Sequence, residues 1–469
     1  MNVALKNILA LSLMQMLSLT CQAQEFYIDS IRNIKLPIIC IETLNNEEPT
    51  CDYVSHPDGC FGESITNATK VPGRLVIINQ DTIYDSHEYR KDVSGITINI
   101  RGNTSAYNDK KSFKIKLQNK QDLLFRGNED KYKDKNWLLL PESIYTMIGL
   151  NISKLFGIPY TPSYVFTNLV INGDYRGTYM LIESIKRNTN CRIDVSENGY
   201  IIERDPYWWN ENVSFSTNNV DVPYKYTFQY PDEDEITSTQ INHIQEYLNQ
   251  LELSISTGTY QDYIDVPSFA AWLLVHDILG DKDCAGSNIF LTKYDDSNCS
   301  KIKMGPLWDF GAIETMDDKW SAIHDDNYYF KSLLNSVNSE FLDVYRNLWR
   351  EKSPVVFDTL YEVLYNFIDS ETGKELEKSK LLDQIRWNYK DVTFREDIEA
   401  SVSWFSNRRI WLENAIPNIS TDIESQNNEV ENDINYDLAG HIIGNSINKV
   451  CTSNPQIYIT NGKKYLHHK

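Results

Sequence analysis

The sequence predicts an α+β protein with a β-rich N-terminal part, a helical C-terminal part and a small β-rich tail. Three observations carry this. Short apolar runs of period two, separated by turn residues, recur up to residue 203. Apolar residues at helical spacing dominate from residue 237 to residue 418. Short alternating runs return after residue 435.

Leu36–Glu42, Arg74–Ile78 and Gly95–Ile100 read as strands. After the small-residue turn Arg101-Gly102-Asn103-Thr104-Ser105, the segment Lys110–Leu117 alternates strictly. Period two puts Lys110, Ser112, Lys114 and Lys116 on one face and Lys111, Phe113, Ile115 and Leu117 on the other. Lys111 thus falls on the apolar face, where an ammonium needs an anionic partner or an escape to water at the strand end. Trp137–Leu140 reads as a buried strand and Ile144–Phe156 as a helix. Val165–Ile171 and Gly177–Ile185, joined through Asn172-Gly173, read as a hairpin. Tyr200–Glu203 is a further strand. Thr237-x-x-Gln240 is a capping box before the stripe Ile241, Ile244, Leu248 and Leu251. Pro267 and Ser268 open a helix to about Ile278 that is apolar nearly all round, hence buried.

The first residues have the pattern of an export signal: Lys6, an apolar stretch Ile8–Leu19, and Cys21-Gln22-Ala23, with cleavage expected after Ala23. Lipid attachment at Cys21 is the alternative. The chain is therefore expected in the periplasm, at the cell surface or outside the cell, and no later stretch is long and apolar enough to span a membrane. A formal net charge of −21 without a basic stripe argues against nucleic acid as a partner. It argues equally against anionic membranes. After Cys21, cysteines stand at 40, 51, 60, 191, 284, 299 and 451. In an oxidising compartment Cys51–Cys60 or Cys284–Cys299 could pair, and no spacing resembles a zinc motif. The Gln/Asn/Glu-rich run 419–434 reads as a linker to the tail, 435–469.

The buried helix is followed by Gly280-Asp281-Lys282-Asp283 and then Ser287-Asn288-Ile289. A hairpin, Asn288–Tyr294 with Lys301–Met304, leads to Gly305-Pro306-Leu307-Trp308-Asp309-Phe310-Gly311. It would carry the chain out and back, bringing Asp309 beside Asp283 and Asn288. Phosphoryl transfer needs such a set: one Asp to accept the proton of an attacking hydroxyl, an Asn and a second Asp to hold Mg2+ on phosphates, and a Lys on an early strand to meet the phosphates. Turn and cap roles for these aspartates, or a structural calcium site, remain open on the residues alone.

Five separated segments resemble, in order, the CotH (spore coat protein H) family of atypical kinases. They are Arg101–Ser105 with Lys110–Leu117; Asn136–Leu140; Asn172-Gly173 to Glu183 with Tyr175, Gly177, Tyr179 and Leu181; Gly280 to Asn288; and Gly305 to Phe310. The resemblance covers about residues 36–418. It implies a divergent protein-kinase-like two-lobe domain, ATP as donor with Mg2+ or Mn2+, and Ser/Thr of an exported protein as acceptor. Residue by residue, it makes Asp283 catalytic and Asn288 and Asp309 metal ligands. Lys111, Arg101 and Ser105 fall on the phosphate side, and Glu183 lies near the nucleotide or caps its strand.

Two departures stand out. The family usually reads Trp-Asp-Phe-Asp, but Gly311 occupies the last position. The helix near 144–156 usually opens with an Arg-Asn pair, where Thr146-Met147-Ile148-Gly149 stands here. A binding-only scaffold is therefore a second reading. A transferase acting on a non-protein acceptor such as glycan is a third, with Tyr207–Trp209 and Tyr224–Tyr230 as sugar-stacking aromatics. The tail, through Asn435–Gly440 and Ile457–Lys464, resembles C-terminal β-modules of exported Bacteroidetes proteins that serve in secretion or attachment.

Overall fold

The computed structural model describes residues 24–127, 130–218, 224–281, 283–313, 329–389 and 392–419, with four short strands beyond them. The export signal lies outside the described residues, as does the linker from residue 420 onward.

Seven strands form a barrel in the N-terminal part: β1 (Ile38–Thr43), β2 (Val71–Asn79), β3 (Ile96–Arg101), β4 (Ser112–Gln121), β5 (Asp134–Pro141), β6 (Tyr164–Ile171) and β7 (Asp174–Glu183). They pair in the order β1-β6-β7-β5-β4-β3-β2, and β2 pairs back onto β1. The sheet is therefore a closed barrel. β1 closes it by pairing antiparallel with β2 (Ile39 opposite Ile77) and parallel with β6 (Ile39 opposite Leu169). The two-lobe kinase arrangement expected from the resemblance is corrected by this closure, although the chain is α+β as expected. Closure depends on which distant strands β1 meets, and a strand's own period of two does not encode that.

Alternation sorts the barrel residues. Ile39, Leu75, Ile98, Ile115, Trp137, Leu139, Leu169 and Leu181 fill the interior. The opposite faces of the same strands give Leu138, Phe166, Met180 and Ile182 to a second core, shared with the helices. Both faces of β5 are thus covered, which explains the unbroken apolar run Trp137–Leu140. The outer face of the barrel wall and the helices thus share one core, separate from the barrel interior.

A second antiparallel sheet is built from β8 (Tyr200–Asp205), β9 (Ser214–Phe215), β10 (Lys225–Tyr230), β11 (Ile289–Lys293) and β12 (Ile302–Met304), ordered β9-β10-β8-β11-β12. The helices are α1 (Ile144–Leu155), α2 (Ser238–Thr257), α3 (Val266–Leu279), α4 (Phe330–Leu334), α5 (Glu340–Asp369), α6 (Glu371–Trp387) and α7 (Phe394–Ala415). α2 opens on the expected capping box: Gln240 N–H donates to Thr237 Oγ1 at 3.3 Å, and Thr237 N–H donates to Gln240 Oε1 at 3.0 Å. Every residue of α3 except Pro267 is buried, as its all-round apolarity predicts. A helix over 24–32 packs Tyr27 on Tyr175, ring centroids 5.2 Å apart. Among the described residues no disulfide forms; Cys284 is buried and Cys299 exposed. In the tail, Asn435–Tyr436, Ile442–Gly444, Gln456–Thr460 and Lys463–His467 pair into a four-stranded sheet.

Candidate active site

Helix α3 delivers the first carboxylates. Gly280 ends it in the left-handed conformation (φ 59°), which glycine adopts without strain, and its N–H returns to His276 O at 2.9 Å. Asp281 then points inward and is 1 % exposed, while Asp283 stays accessible at the start of a single 3-10 turn. The turn is held locally: Asp283 N–H donates to Asp281 Oδ1 (3.1 Å), and Ser287 N–H and Oγ both donate to Asp283 O (3.1 and 3.0 Å). Asn288, with φ 57°, redirects the chain into β11. Asparagine tolerates this region better than most residues.

The β11–β12 hairpin returns the chain as the sequence predicts. Leu291 lies opposite Met304, and Gly305 N–H donates to Phe290 O at 2.9 Å. The buried Lys293 ammonium ties the outer turn by donating to the carbonyls of Asp295, Ser297 and Ser300 at 2.6–2.8 Å. Asp309 is left close enough to Asp283 to raise its proton affinity. Phe310, just after it, is buried under α1 at Gly149. A Cβ on Gly149 would stand 2.2 Å from the Phe310 ring, so only glycine lets α1 settle there and fix the Asp309 segment.

The barrel wall supplies the opposing charge. Arg101, at the end of β3, pairs with Ser112 of β4, and Asn99 pairs with Lys114. Arg101, Ser105, Ser112, Leu140, Thr146, Leu150, Trp308, Asp309 and Phe310 line a cavity of about 120 Å³. A larger cavity of about 440 Å³ is lined by Tyr107–Lys110, Pro141, Trp387 and Tyr389 and takes in none of the expected site residues.

Electrostatics make the small cavity distinctive. Crowding by protein pushes the Asp309 carboxyl above the ordinary carboxylate range; Arg101 pulls it back and Asp281 adds repulsion. Desolvation also raises Asp283, followed by the Asp281 and Asp309 charges. On the barrel face that carries Arg101 and Ser112, desolvation and then Lys70, Arg101, Lys186 and Lys116 hold the Lys114 ammonium below the usual lysine range. The carboxylates Asp281, Asp283 and Asp309 thus repel one another, and the cations Arg101 and Lys114 repel one another on the barrel face. A divalent cation relieves the first set and phosphate oxygens relieve the second. Asp283, Asn288 and Asp309 offer hard oxygen donors of the kind that suit Mg2+ or Mn2+, so the residues present fit such an ion.

Arg101, Ser105 and Asp309 meet at the cavity, and Asp283 is coupled to Asp309. Lys111 stands elsewhere. It precedes β4, and its Nζ donates to Tyr53 OH (2.9 Å) and Ala106 O (2.8 Å). Lys110, placed by alternation on the polar face, is the buried one, paired with Asp383 at 2.7 Å. Glu183 is also away from the cavity. It is 1 % exposed, ion-paired with Arg126 at 2.9 Å, and accepts from Tyr160 OH (3.3 Å) and Ser163 N–H (3.0 Å). Lys114 shares the outward face of Arg101 and Ser112, where alternation had already put it beside Ser112.

One of the two departures lies at this cavity, and the other, Gly311, follows its lining residue Phe310. Thr146 lines it where the Arg of the usual pair is missing. At Gly311 an added Cβ would stand 3.4 Å from Asp309 Oδ1, an ordinary contact, with no positive φ to strain a side chain. Gly311→Asp is therefore expected to fold normally and to tighten Mn2+ binding several-fold, read by titration calorimetry against the unmodified chain. The aromatics considered for glycan stacking are engaged within the protein: Tyr207 OH with Thr104 Oγ1 (2.9 Å), Tyr224 under Arg204 (4.0 Å) and Trp208 under Lys225 (3.4 Å).

Comparison with known families gives one match, a family model described as CotH kinase protein, over residues 98–412. That span holds Arg101, Lys114, Asp283, Asn288 and Asp309, and covers about two thirds of the chain. No curated protein matches the sequence.

Proposed function

The chain belongs to the CotH kinase family, and from that premise we propose that it is an exported protein kinase that transfers the γ-phosphate of ATP to Ser/Thr of a secreted or surface protein. The observation that supports this most is the meeting of Arg101, Ser105 and Asp309 at one cavity, with Asp283 coupled to Asp309. Export rests on the N-terminal pattern Lys6, Ile8–Leu19 and Cys21–Ala23. Among the described residues no helix is long and apolar enough to cross a membrane.

In this reading Asp283 accepts the proton of the acceptor hydroxyl, and its raised proton affinity suits it to that task. Asn288 and Asp309 hold Mg2+ or Mn2+, which when bound screens the phosphate charge. Arg101 orients the phosphates and Ser105 borders their loop, with Lys114 on the same barrel face as Arg101. The cavity wall of Leu140, Leu150 and Phe310 limits water near the transferring group. A binding-only role on the same fold is the second reading, favoured by Gly311 and Thr146 at the positions named above.

Nucleotide binding separates the two. ATP at about 100 times its Kd stabilises a protein that binds it by about 2.7 kcal/mol. A melting-temperature rise with ATP and Mg2+ is expected in the unmodified chain and is expected to be lost in Asp309→Ala. An equal rise in both, or none in either with Mg2+ or Mn2+, would count against the kinase site.

A further inference from the structure

Directly beneath the catalytic turn, His276, Asp281 and Cys284 converge. Each is 1 % exposed, and one ligand atom from each lies within 4.8 Å of the other two. His276 comes from the last turn of α3, Asp281 from the residue after its Gly280 cap, and Cys284 from the turn that begins at Asp283. His276 Nδ1 and Asp281 Oδ2 stand 3.5 Å apart. Neither makes a hydrogen bond among the described residues, and the same holds for His276 Nε2. The Cys284 thiol donates to Asp281 O at 2.9 Å.

Buried imidazole and carboxylate atoms aimed at one another without hydrogen bonds are costly. The spacing matches a different use. Ligands about 2.0 Å from a tetrahedral ion stand about 3.3 Å from each other, and a sulfur ligand slightly farther. The donor set is one nitrogen, one oxygen and one sulfur, which favours a borderline-soft cation over Mg2+.

We propose that His276, Asp281 and Cys284 form a site for a divalent transition-metal ion of the zinc class, distinct from the Mg2+ position and placed to clamp the turn that carries Asp283. Binding releases the Cys284 thiol proton to solvent and leaves the oxidation state of every partner unchanged. The thiolate, the carboxylate and the neutral imidazole donate to the ion, with a fourth position left to water. Asp281 is the link between the two sites: Oδ2 faces the ion while Oδ1 accepts from Asp283 N–H. The ion would thereby stiffen the catalytic turn without touching substrate. The site stands independently of the kinase reading, since a phosphate-binding scaffold would carry it equally.

The test uses the mature chain, stripped of metal and titrated with Zn2+ and, separately, Co2+. One tightly held zinc per chain is expected by elemental analysis after gel filtration. With Co2+, a near-ultraviolet thiolate-to-metal band is expected, lost in Cys284→Ser and shifted or lost in His276→Gln. Asp309→Ala should keep it, which separates this site from the Mg2+ position. A folded unmodified chain that takes up no zinc, or a Co2+ band retained in folded Cys284→Ser, overturns the proposal. Where a variant does not fold, the unmodified chain's zinc content and thiolate band decide the matter alone.

Discussion

Asp283→Asn is expected to lower phosphate transfer by about 100- to 10,000-fold, the range for loss of a positioned general base, while leaving the chain folded. The side chain is accessible, so its removal exposes no cavity. Its carboxyl has a raised proton affinity because of desolvation and the charges of Asp281 and Asp309. A carboxyl raised in the native state binds its proton more tightly there than in the unfolded chain. Stability therefore declines as pH rises from the ordinary carboxylate range through the raised native value. Asparagine removes that decline, so the metal-free variant should melt no lower, and slightly higher, than the unmodified chain at neutral pH. Activity of the unmodified enzyme should rise with pH over the same window, as Asp283 gives up its proton. Loss of transfer together with a large fall in melting temperature would instead assign Asp283 a structural role.

The largest expected stability effect lies elsewhere. Asp383→Ala should destabilise the fold by about 3–5 kcal/mol, the cost of leaving one member of a buried ion pair alone. Lys110 and Asp383 side chains are 4 % and 5 % exposed, and Lys110 Nζ donates to both carboxylate oxygens at 2.7–2.8 Å. Asp383 Oδ1 also accepts from Thr178 N–H at 3.0 Å. Around this pair α6 is pinned to β7: Ser379 Oγ lies 2.7 Å from Thr178 Oγ1, and Trp387 Nε1–H donates to Arg176 O at 3.0 Å. Gly177 makes the approach possible. Its φ of 106° suits glycine alone, and a Cβ there would stand 1.9 Å from Asp383 Oδ1. Urea denaturation of Asp383→Ala and of the double variant Lys110→Met/Asp383→Leu tests this. The double variant, which buries no unpaired charge, should recover much of the loss. Equal losses in both would mean that shape at this joint, rather than charge, carries the stability.

Much of the site was legible because it is local. The end of the buried helix before Asp281, the hairpin of Asn288–Tyr294 with Lys301–Met304 and the chain's return from it are read from neighbours in sequence, and the structure keeps them. The unexpected features depend on distant partners. Lys110 rather than Lys111 is buried because its counter-ion comes from α6, 273 residues away. Glu183 is drawn into ion pairs by Arg126 and Arg192, from segments with no periodic signal. The barrel closes because β1 meets two strands, and a strand with both edges used looks in sequence like one with a free edge. The place of Lys114 beside Arg101 was within reach: Arg101 and Ser112 were already noted, and the pairing of β3 with β4 puts all three on one outward face.

The central claim is that Asp283, with Asn288, Asp309 and Arg101, transfers phosphate. It is tested most directly by incubating the chain from residue 24 onward with γ-32P-labelled ATP and Mg2+ or Mn2+, alone and with added protein acceptors, beside Asp309→Ala. Label appearing on Ser/Thr with the unmodified chain and absent with Asp309→Ala is the expected result. No label with either metal in a folded, metal-loaded chain, or equal label in both chains, would contradict it.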